Sequence, residues 1–327
     1  MRFGIVGTNF VSDFFMAAIK EVKNASVTAV SSRSLEKGKA FADKYGIPEV
    51  FDSYEKMSDS GKIDAVYLAV PNALHKEMSE YFLNKKIPVL CEKPLASNDK
   101  EAKEMFECAK QNDTYLADAI IPLYTPNFQI LKNSLPKIGV LRRANLVFSK
   151  YSSRYDAYLR GENPTTFRRD LSNGALMDLG IYPLACAIGL FGKPKEVIAR
   201  GMILPSGVDA LGTGLLIYDG FQVNLSYSKV TDTEYLPEIE GEQGNLYTNG
   251  ISQLPEVWFV DRKTKTKEIL SIDQGNPMSH EIQNFVDSVS SGLKQSKVVP
   301  WQLSLDILET ATKVRKEMGV SFPADEK

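Results

Sequence analysis

Three side chains of this 327-residue sequence could form a proton-transfer set: Lys93, Asp178 and Tyr182. Lys93 follows a short apolar run, and a side chain at the carboxyl end of a parallel strand faces the ligand crevice of an open α/β sheet. Asp178 and Tyr182 are four residues apart, so an α-helix presents them on one face. An ammonium group near a phenol favours the phenolate. Such a tyrosine can take a proton from a hydroxyl while a hydride leaves the same carbon.

Each of these three residues also has a purely structural interpretation. Lys93 would suit a solvated surface, and Tyr182 would suit a core. Asp178 would suit the first turn of a helix, where the helix dipole favours an acid. The residue types and spacing alone leave both interpretations open for each of the three.

The turn after the first apolar run is similar to a dinucleotide-binding fingerprint. Residues 4–12 read GIVGTNFVS, and Gly7 stands at the first glycine position. Backbone amides at a helix N-terminus can hold a pyrophosphate in this context. Asn9 and Ser12 replace the second and third glycines, and Asn9 carries a side chain where a cofactor would approach closely. An ordinary strand-to-helix turn is the alternative.

The end of the second apolar run indicates which nicotinamide cofactor would bind. An acid at this point would bind the ribose 2′-hydroxyl of NAD, but the sequence has Ser32 and Arg33. A hydroxyl and a guanidinium suit a 2′-phosphate, so the sequence predicts NADP in preference to NAD. The alternative is that Arg33 is solvated beside Ser34, which is a good N-cap residue.

The elements that must position these residues alternate between strands and helices through about residue 120. Strands are predicted at 3–6, 27–30, 63–70, 88–91 and 115–119, and helices at 10–22, 35–45, 74–83 and 99–111. Short strands that are apolar on both faces belong to a parallel sheet covered by helices. The right-handed crossover rule then predicts a doubly wound α/β domain of the Rossmann type over residues 1–120.

After residue 120 the pattern changes to longer, alternating strands. Strands are predicted at 142–151, 196–203, 212–218, 221–228, 238–247 with a break at 241–244, and 257–270, and helices at 174–190, 280–293 and 303–318. The Asp219-Gly220 pair between two alternating runs predicts a hairpin. Residues 121–327 are therefore expected to form an α+β domain with a large, open, mostly antiparallel sheet.

Composition and charge exclude several classes of protein. The chain has 39 Lys and Arg against 41 Asp and Glu, and the charges are interspersed. No basic face is therefore expected for nucleic acid or for an anionic membrane. The 3 cysteines are far apart, which indicates reduced thiols in a cytoplasmic protein, as does a start without a leader segment. The 2 histidines are too few for a multi-histidine metal site, and the apolar residues 175–191 are predicted to form a buried helix.

Four motifs give the chain a recognisable combination. They are the turn at Gly7, Pro71-Asn72 with His75, Glu92-Lys93-Pro94, and the Asp-Leu-Gly-Ile-Tyr of residues 178–182. Taken together they resemble the Gfo/Idh/MocA family of NAD(P)-dependent oxidoreductases, and the resemblance covers nearly the whole chain. The last helix of that family commonly packs on the nucleotide domain, so residues 301–318 are a candidate to complete the first domain.

The resemblance implies a role for each residue of the proton-transfer set. Lys93 would contact the nicotinamide ribose and the substrate, Asp178 would bind substrate hydroxyls, and Tyr182 would be the acid/base. Many members have histidine at the last position, whereas tyrosine is typical of members that resemble glucose-fructose oxidoreductase and dimeric dihydrodiol dehydrogenase. The resemblance therefore implies a sugar, a polyol or a vicinal diol as substrate. It implies cofactor binding by Gly7, Thr8, Asn9, Phe10, Val11, Ser32, Arg33, Ala69, Pro71, Asn72, His75, Glu92 and Lys93, and no metal ligand.

The leading hypothesis is an NADP-dependent oxidoreductase that transfers a hydride between nicotinamide and a secondary hydroxyl or carbonyl. The alternative is a non-catalytic regulatory protein that senses nucleotide or sugar on the same fold. Such a protein is expected to have lost the lysine or the acid/base group, and both are present here. A third variant keeps its cofactor bound as a redox shuttle. An open sheet face with Leu215, Ile217 and Val223 predicts a homodimer or homotetramer through the C-terminal sheet.

Overall fold

The computed structural model describes residues 1–326, which group into two units. The first unit contains Met1–Ala119 and Gly275–Ser304, and the second contains Ile120–Gln274 and the residues from Leu305 on. The sequence predicts one domain over residues 121–327, whereas residues 275–304 group with the first unit. Of the helix expected at 301–318, only the first turn belongs to that unit.

The first unit has a parallel sheet. Its strands are β1 (Arg2–Val6), β2 (Ser26–Ser31), β3 (Glu49–Phe51), β4 (Ala65–Leu68), β5 (Val89–Glu92) and β6 (Leu116–Ala119). They pair in the order β3-β2-β1-β4-β5-β6, and each pairing is parallel. The predicted doubly wound fold is confirmed. The strand order reverses between β1 and β4, and ligands of such sheets bind at the carboxyl ends of the strands beside this point.

Local capping signals explain why two of the predicted helices have the predicted bounds. The helices are α1 (Phe10–Ala18), α2 (Leu35–Tyr45), α3 (Tyr54–Asp59), α4 (His75–Asn84), α5 (Asp99–Gln111), α6 (Ile121–Tyr124), α7 (Pro126–Asn133), α8 (Ser153–Leu159), α9 (Ile181–Phe191), α10 (Pro277–Ser290) and α11 (Trp301–Glu317). Ser34 caps α2 and Asn98 caps α5, each through a side chain that accepts a backbone N–H of the first turn. The short β3 and α3 were not predicted.

Aromatic packing explains why α10 groups with the first unit. The ring of Phe285 lies 5.5 Å from that of Phe3 and 5.1 Å from that of Tyr115. At the start of α11, the indole of Trp301 stacks on Phe106 at 5.3 Å. These contacts bury apolar rings of the chain's last third against the parallel sheet and its helices, which the alternation of apolar residues along the sequence does not reveal.

The second unit has a mostly antiparallel sheet. Its strands are β7 (Leu141–Ser149), β8 (Glu196–Ile203), β9 (Asp209–Ile217), β10 (Gln222–Ser228), β11 (Glu238–Gly241), β12 (Gly244–Thr248), β13 (Val257–Asp261) and β14 (Lys267–Ile269), in the order β14-β13-β12-β11-β7-β10-β9-β8. The hairpin predicted at Asp219-Gly220 joins β9 and β10. The neighbours β7 and β10 run parallel, and this pairing was not predicted.

One face of this sheet is covered by helix, since α9 packs on β7 and β10. Leu215 and Ile217 are half-buried on the opposite face, as expected for an open surface. The prediction for Val223 was wrong: Val223 is fully buried and pairs with the equally buried Leu216 on the covered face. Leu215 and Val223 lie on adjacent strands, and the pairing register, which the sequence does not show, decides which face each one occupies.

A helical run over Arg169–Phe191 is the single segment of residues 1–326 with the length and composition to cross a membrane. Within its most apolar window, 72% of the residues are buried inside the protein. The predicted buried helix accounts for this run, because its apolar side chains pack on the sheet of the second unit.

Candidate active site

The turn after β1 is shaped by Gly7, whose φ is +100°. A Cβ atom at Gly7 would lie 2.2 Å from the carbonyl oxygen of Ala69, which follows β4. Residues with a side chain rarely adopt this backbone conformation, so both space and backbone require glycine here. The close approach joins the ends of β1 and β4, the two strands at which the sheet order reverses.

Asn9, at the second fingerprint position, is the N-cap of α1. Its Oδ1 accepts the backbone N–H groups of Val11 (3.0 Å) and Ser12 (3.4 Å), and its Nδ2 donates to the carbonyl of Ala69 (2.9 Å). The hydroxyl of Ser12 donates to the carbonyl of Gly7 (2.9 Å). Both residues that replace fingerprint glycines therefore stabilise the turn, and the Asn9 side chain is folded back onto the protein.

Three backbone N–H groups of this turn, those of Thr8, Asn9 and Phe10, have no acceptor within residues 1–326. Unpaired N–H groups at a helix N-terminus act together with the helix dipole to attract a phosphate. The turn therefore has the hydrogen-bonding capacity that the pyrophosphate of a dinucleotide requires.

The segment after β2 combines the two interpretations that the sequence left open. The hydroxyl of Ser34 accepts the N–H of Lys37 (3.3 Å), so this serine does cap α2. The N–H of Ser32 donates to the carbonyl of Phe51 (3.1 Å), which fixes the backbone before Arg33. The guanidinium of Arg33 is exposed and has no ion-pair partner in the described part of the chain.

His75 is fully buried at the start of α4. Its Nδ1 lies 2.9 Å from the carbonyl oxygen of Pro94, and its Nε2 lies 2.9 Å from that of Val70. Burial lowers the pKa of His75, the two carbonyls oppose this change, and the charge of Lys93 adds to it. The ring ties the loop after β4 to the loop after β5. His75 therefore holds these two loops in place from inside the unit.

Glu92 and Lys93 lie at the end of β5. The hydroxyl of Tyr67 donates to Oε1 of Glu92, and the backbone N–H of Lys93 donates to its Oε2 (3.2 Å). The ring of Tyr67 in turn stacks on Phe15, with 4.1 Å between centroids. Glu92 is buried and Lys93 is half-buried. Glu92 therefore fixes the backbone from which the Lys93 side chain extends.

The first unit also contains buried acids that the sequence analysis did not single out. Glu281 of α10 is 1% exposed, and neither carboxyl oxygen has a hydrogen-bond partner in residues 1–326. Burial raises the pKa of Glu281 well above its usual range, and the charges of Glu92 and Asp118 raise it further. Burial likewise raises the pKa of Asp118 to about 7. A glutamate on the apolar face of a predicted helix is the sequence signal that would have found Glu281.

The helical segment that carries Asp178 and Tyr182 starts against a buried acid, Asp209. Its Oδ2 accepts the N–H of Leu176 (2.7 Å). A Cβ atom at Gly174, where φ is +143°, would lie 2.2 Å from Oδ1 of Asp209. Burial raises the pKa of Asp209 to about 6, although its backbone hydrogen bonds lower it. Sequence reasoning missed Asp209 because no local pattern connects it to this helix.

Between Leu176 and Gly180 the chain winds as a π-helix before α9 begins. The sequence predicted a continuous α-helix here. Pro183 supplies a physical reason for the difference, because a proline ring inside a helix crowds the carbonyl four residues earlier, that of Leu179. A wider turn relieves this crowding, and such π turns often occur at functional sites. Asp178 lies within the π turn and Tyr182 in the first turn of α9.

Asp178 forms an ion pair with Lys229, a residue that the sequence analysis did not single out. Lys229 directly follows β10 and is 4% exposed, whereas the side chain of Asp178 is 36% exposed. Asp178 lies in the first turn of its helical segment, as the structural interpretation predicted. In addition, its carboxylate pairs with the Lys229 ammonium. The parallel pairing of β7 with β10 was not predicted, so no sequence argument placed residue 229 in this region.

Tyr182 is half-buried, and its ring meets that of Phe148 edge to face with 5.7 Å between centroids. The second unit therefore carries Asp178, Tyr182 and the unpredicted Lys229. The first unit carries Lys93 and the residues around it. No group of three or more His, Cys, Asp or Glu side chains within residues 1–326 could hold a metal ion.

Two family models match the chain. An oxidoreductase family with an NAD-binding Rossmann fold matches residues 1–118, and the GFO/IDH/MocA C-terminal domain matches residues 136–247. The first match coincides with the parallel sheet and the turn at Gly7, and the second covers Asp178, Tyr182 and Lys229. The two matches together cover more than half of the chain.

Similar proteins match the chain from end to end. It is 41% identical to the uncharacterized oxidoreductase YgjR of Escherichia coli, over 99% of this chain and 98% of that protein. It is also 41% identical to the scyllo-inositol 2-dehydrogenase (NADP(+)) IolU of Bacillus subtilis, over 100% of this chain and 99% of that protein. Among solved structures, a 3-ketoreductase of Actinomadura kijaniata in complex with NADP has a TM-score of 0.87 at 23% identity, over 97% of this chain and 98% of that one. The last likeness shows the fold.

Proposed function

Because this chain belongs to the Gfo/Idh/MocA family of oxidoreductases, we propose that it oxidises a secondary hydroxyl of a cyclic polyol, sugar or vicinal diol with NADP. The observation that carries the proposal is the helical segment that carries both Asp178 and Tyr182, in which Asp178 forms an ion pair with the Lys229 ammonium. The full-length likeness to an NADP-dependent inositol dehydrogenase supports the polyol class.

The nucleotide fits the residues of the first unit. The unpaired N–H groups of Thr8, Asn9 and Phe10 would bind its pyrophosphate. Ser32 and the exposed guanidinium of Arg33 would bind the 2′-phosphate, because a guanidinium matches phosphate geometry with paired donors. When bound, the nicotinamide ring supplies the hydride acceptor.

The remaining cofactor-binding residues implied by the resemblance divide by burial. Gly7 and Ala69 set the path of the backbone, and Val11 belongs to the capped first turn of α1. Pro71 and Asn72 follow β4, and the fully buried His75 positions this loop and the loop of Glu92. We assign His75 and Glu92 to positioning and the half-buried Lys93 to contact with the ribose and substrate.

The second unit would supply the groups that act on the substrate. The carboxylate of Asp178 accepts a hydrogen bond from a substrate hydroxyl, and the phenolate of Tyr182 takes the proton of the reacting hydroxyl as the C–H bond gives up its hydride. The edge-to-face contact with Phe148 limits the orientations of the Tyr182 ring. In the reverse direction Tyr182 returns the proton to the carbonyl oxygen.

A steady-state assay tests this function. The protein is incubated with scyllo-inositol, with other cyclic polyols and with aldoses, and NADPH formation is followed by absorbance. We expect turnover with at least one polyol, and a kcat/KM for NADP that is about tenfold or more above that for NAD, equivalent to roughly 1.4 kcal/mol. NADPH binding without turnover on any of these substrates would contradict the enzyme and favour the regulatory protein.

We also propose that the chain forms a homodimer or homotetramer through the open face of the second unit's sheet and acts in the cytoplasm. Leu215 and Ile217 are half-buried on that face, and Ile198 is 43% exposed on β8. Among residues 1–326 the cysteines form no disulfide, in keeping with a reducing compartment. Light scattering that gives the mass of one chain would contradict the oligomer.

A further inference from the structure

Lys229 lies at a fixed point of the second unit. Its N–H donates to the carbonyl of Ala210 at the start of β9 (2.9 Å), and its carbonyl accepts the N–H of Ser152 beyond β7 (2.8 Å). The residue is 4% exposed. These two backbone hydrogen bonds therefore fix the backbone of Lys229, and its side chain lies below the surface.

The ammonium group of Lys229 has donors that the protein does not use. A lysine ammonium carries three N–H donors. Asp178 is the only acceptor that the Lys229 ammonium reaches within residues 1–326. The nearby hydroxyls of Ser228 and Thr231 bond to each other (2.7 Å) instead. A buried ammonium with unused donors is costly unless another acceptor arrives.

The partner of Lys229 is partly exposed. The Asp178 side chain is 36% exposed although the Lys229 side chain is 5% exposed. The pair therefore offers an accepting carboxylate and a donating ammonium in direct contact. One ligand hydroxyl can satisfy both groups, because its oxygen accepts from the ammonium while its O–H donates to the carboxylate. A substrate held in this way needs a second hydroxyl for the reaction, and hydroxyls on adjacent carbons supply both.

We propose that Lys229 is a substrate-binding residue that donates to the hydroxyl on the carbon next to the reacting one, while Asp178 accepts from that same neighbouring hydroxyl and the reacting hydroxyl is left to Tyr182. This inference deepens the proposed function and rests on it, because it makes a vicinal pair of oxygens the feature that the site selects. A lone secondary alcohol leaves the Lys229 donors unsatisfied.

The matched ligands trans-1,2-cyclohexanediol and cyclohexanol test the inference, since they differ by one hydroxyl. Binding to the NADPH-loaded protein is measured by calorimetry and oxidation by NADPH formation. We expect the parent protein to favour the diol by about tenfold or more in both measurements, because a site built around a hydroxyl rejects the analogue that lacks it. An equal response of the parent protein to both ligands overturns the inference without any variant.

The variant Lys229→Met keeps most of the length of the side chain and removes its charge. We expect it to lose most of the preference for the diol through a higher KM and a weaker Kd, while NADPH affinity is unchanged. Lys229→Arg should retain part of the preference. Lys150→Met is the control, because Lys150 is an exposed lysine that follows the neighbouring strand β7. A Lys229→Met protein that folds and loses kcat equally on both ligands, with the preference intact, overturns the inference.

The outcomes separate this inference from the proposed function. Diol binding that depends on Lys229 without any turnover would contradict the enzyme and support the Lys229 contact. Turnover with no dependence of the diol preference on Lys229 would support the enzyme and contradict the contact. Failure of the parent protein to bind any polyol would contradict both.

Discussion

The two units each contain a helical segment that starts after a glycine with a positive φ, and the two starts differ in what their N–H groups bind. At α1, Asn9 caps two N–H groups and leaves those of Thr8, Asn9 and Phe10 without an acceptor in residues 1–326. At the π turn, the buried carboxylate of Asp209 accepts the N–H of Leu176. The first start is therefore open to an external anion, and the second has an anion of its own.

This difference shows that a glycine-led helix start is not by itself a phosphate site. The start near Gly174 is filled by Asp209, which comes from another strand of the same unit. A carboxylate at that point holds the segment that carries Asp178 and Tyr182. The first unit is thereby suited to binding a nucleotide, and the second to presenting side chains to a substrate.

The largest expected effect separates the tasks of the two units. Tyr182→Phe removes the phenolic oxygen that takes the proton, so kcat should fall about a thousandfold. The Kd for NADPH should stay within roughly twofold, because the nucleotide-binding turn belongs to the other unit; this is measured by nicotinamide fluorescence. Tyr235→Phe is the control, since Tyr235 is 83% exposed. A kcat within about tenfold of the parent would contradict the role of Tyr182.

The acid at the second start makes stability depend on pH. Burial raises the pKa of Asp209 to about 6 in the folded protein. The folded protein therefore favours the protonated carboxyl of Asp209. The stability that goes with this protonated form is fully present below the unfolded pKa and is lost as pH rises through about 6. Relative to Asp209→Asn, the free energy of unfolding of the parent should fall by about 3 kcal/mol between pH 4 and pH 7. Urea denaturation of both proteins at several pH values measures this, and parallel curves would show that Asp209 is not shifted.

The hydrogen bond between residue 209 and the N–H of Leu176 can be tested with two uncharged variants. At pH 5, Asp209→Ala should be less stable than Asp209→Asn by about 2 kcal/mol, because the buried N–H of Leu176 loses its acceptor. Urea midpoints and slopes measure the difference. Equal stability of the two variants would mean that the hydrogen bond to Leu176 contributes nothing measurable to this helix start.

The smallest expected effect concerns the choice of cofactor at the first unit. Arg33→Ala should weaken NADPH binding about tenfold, roughly 1.4 kcal/mol, and leave NADH binding unchanged, because only NADPH carries the 2′-phosphate. Fluorescence titration with both nucleotides measures the effect. Lys39→Ala, an exposed change on α2, is the control. An equal loss for both nucleotides would show that Arg33 does not bind the 2′-phosphate.

Local signals explain which parts of the fold the sequence predicted. The helices at 35–45 and 99–111 were predicted with their observed bounds because Ser34 and Asn98 are N-caps and the apolar residues keep helical spacing. The hairpin between β9 and β10 followed from Asp219-Gly220. The strand β3 was missed because its three residues are only half-buried and form no apolar run.

The residues of the candidate site were predicted less completely than the helices and strands. Lys93, Asp178 and Tyr182 were found from residue type and spacing, and their catalytic roles stay predictions. Lys229 and Glu281 were missed, because a lysine after a strand and a glutamate in a helix are common solvated residues. Their burial depends on segments that lie far away in the sequence.

The sequence by itself determined the parallel first sheet, the mostly antiparallel second sheet and the glycine-led turn at Gly7, because periodicity, capping and backbone restrictions act over a few neighbouring residues. The tertiary structure alone decided that α10 packs with the first unit, that β7 and β10 lie parallel and that Lys229 meets Asp178. Each of these depends on contacts between distant segments, whose free energy comes from burying apolar surface and pairing buried charges. No short window of sequence contains both partners of such a contact.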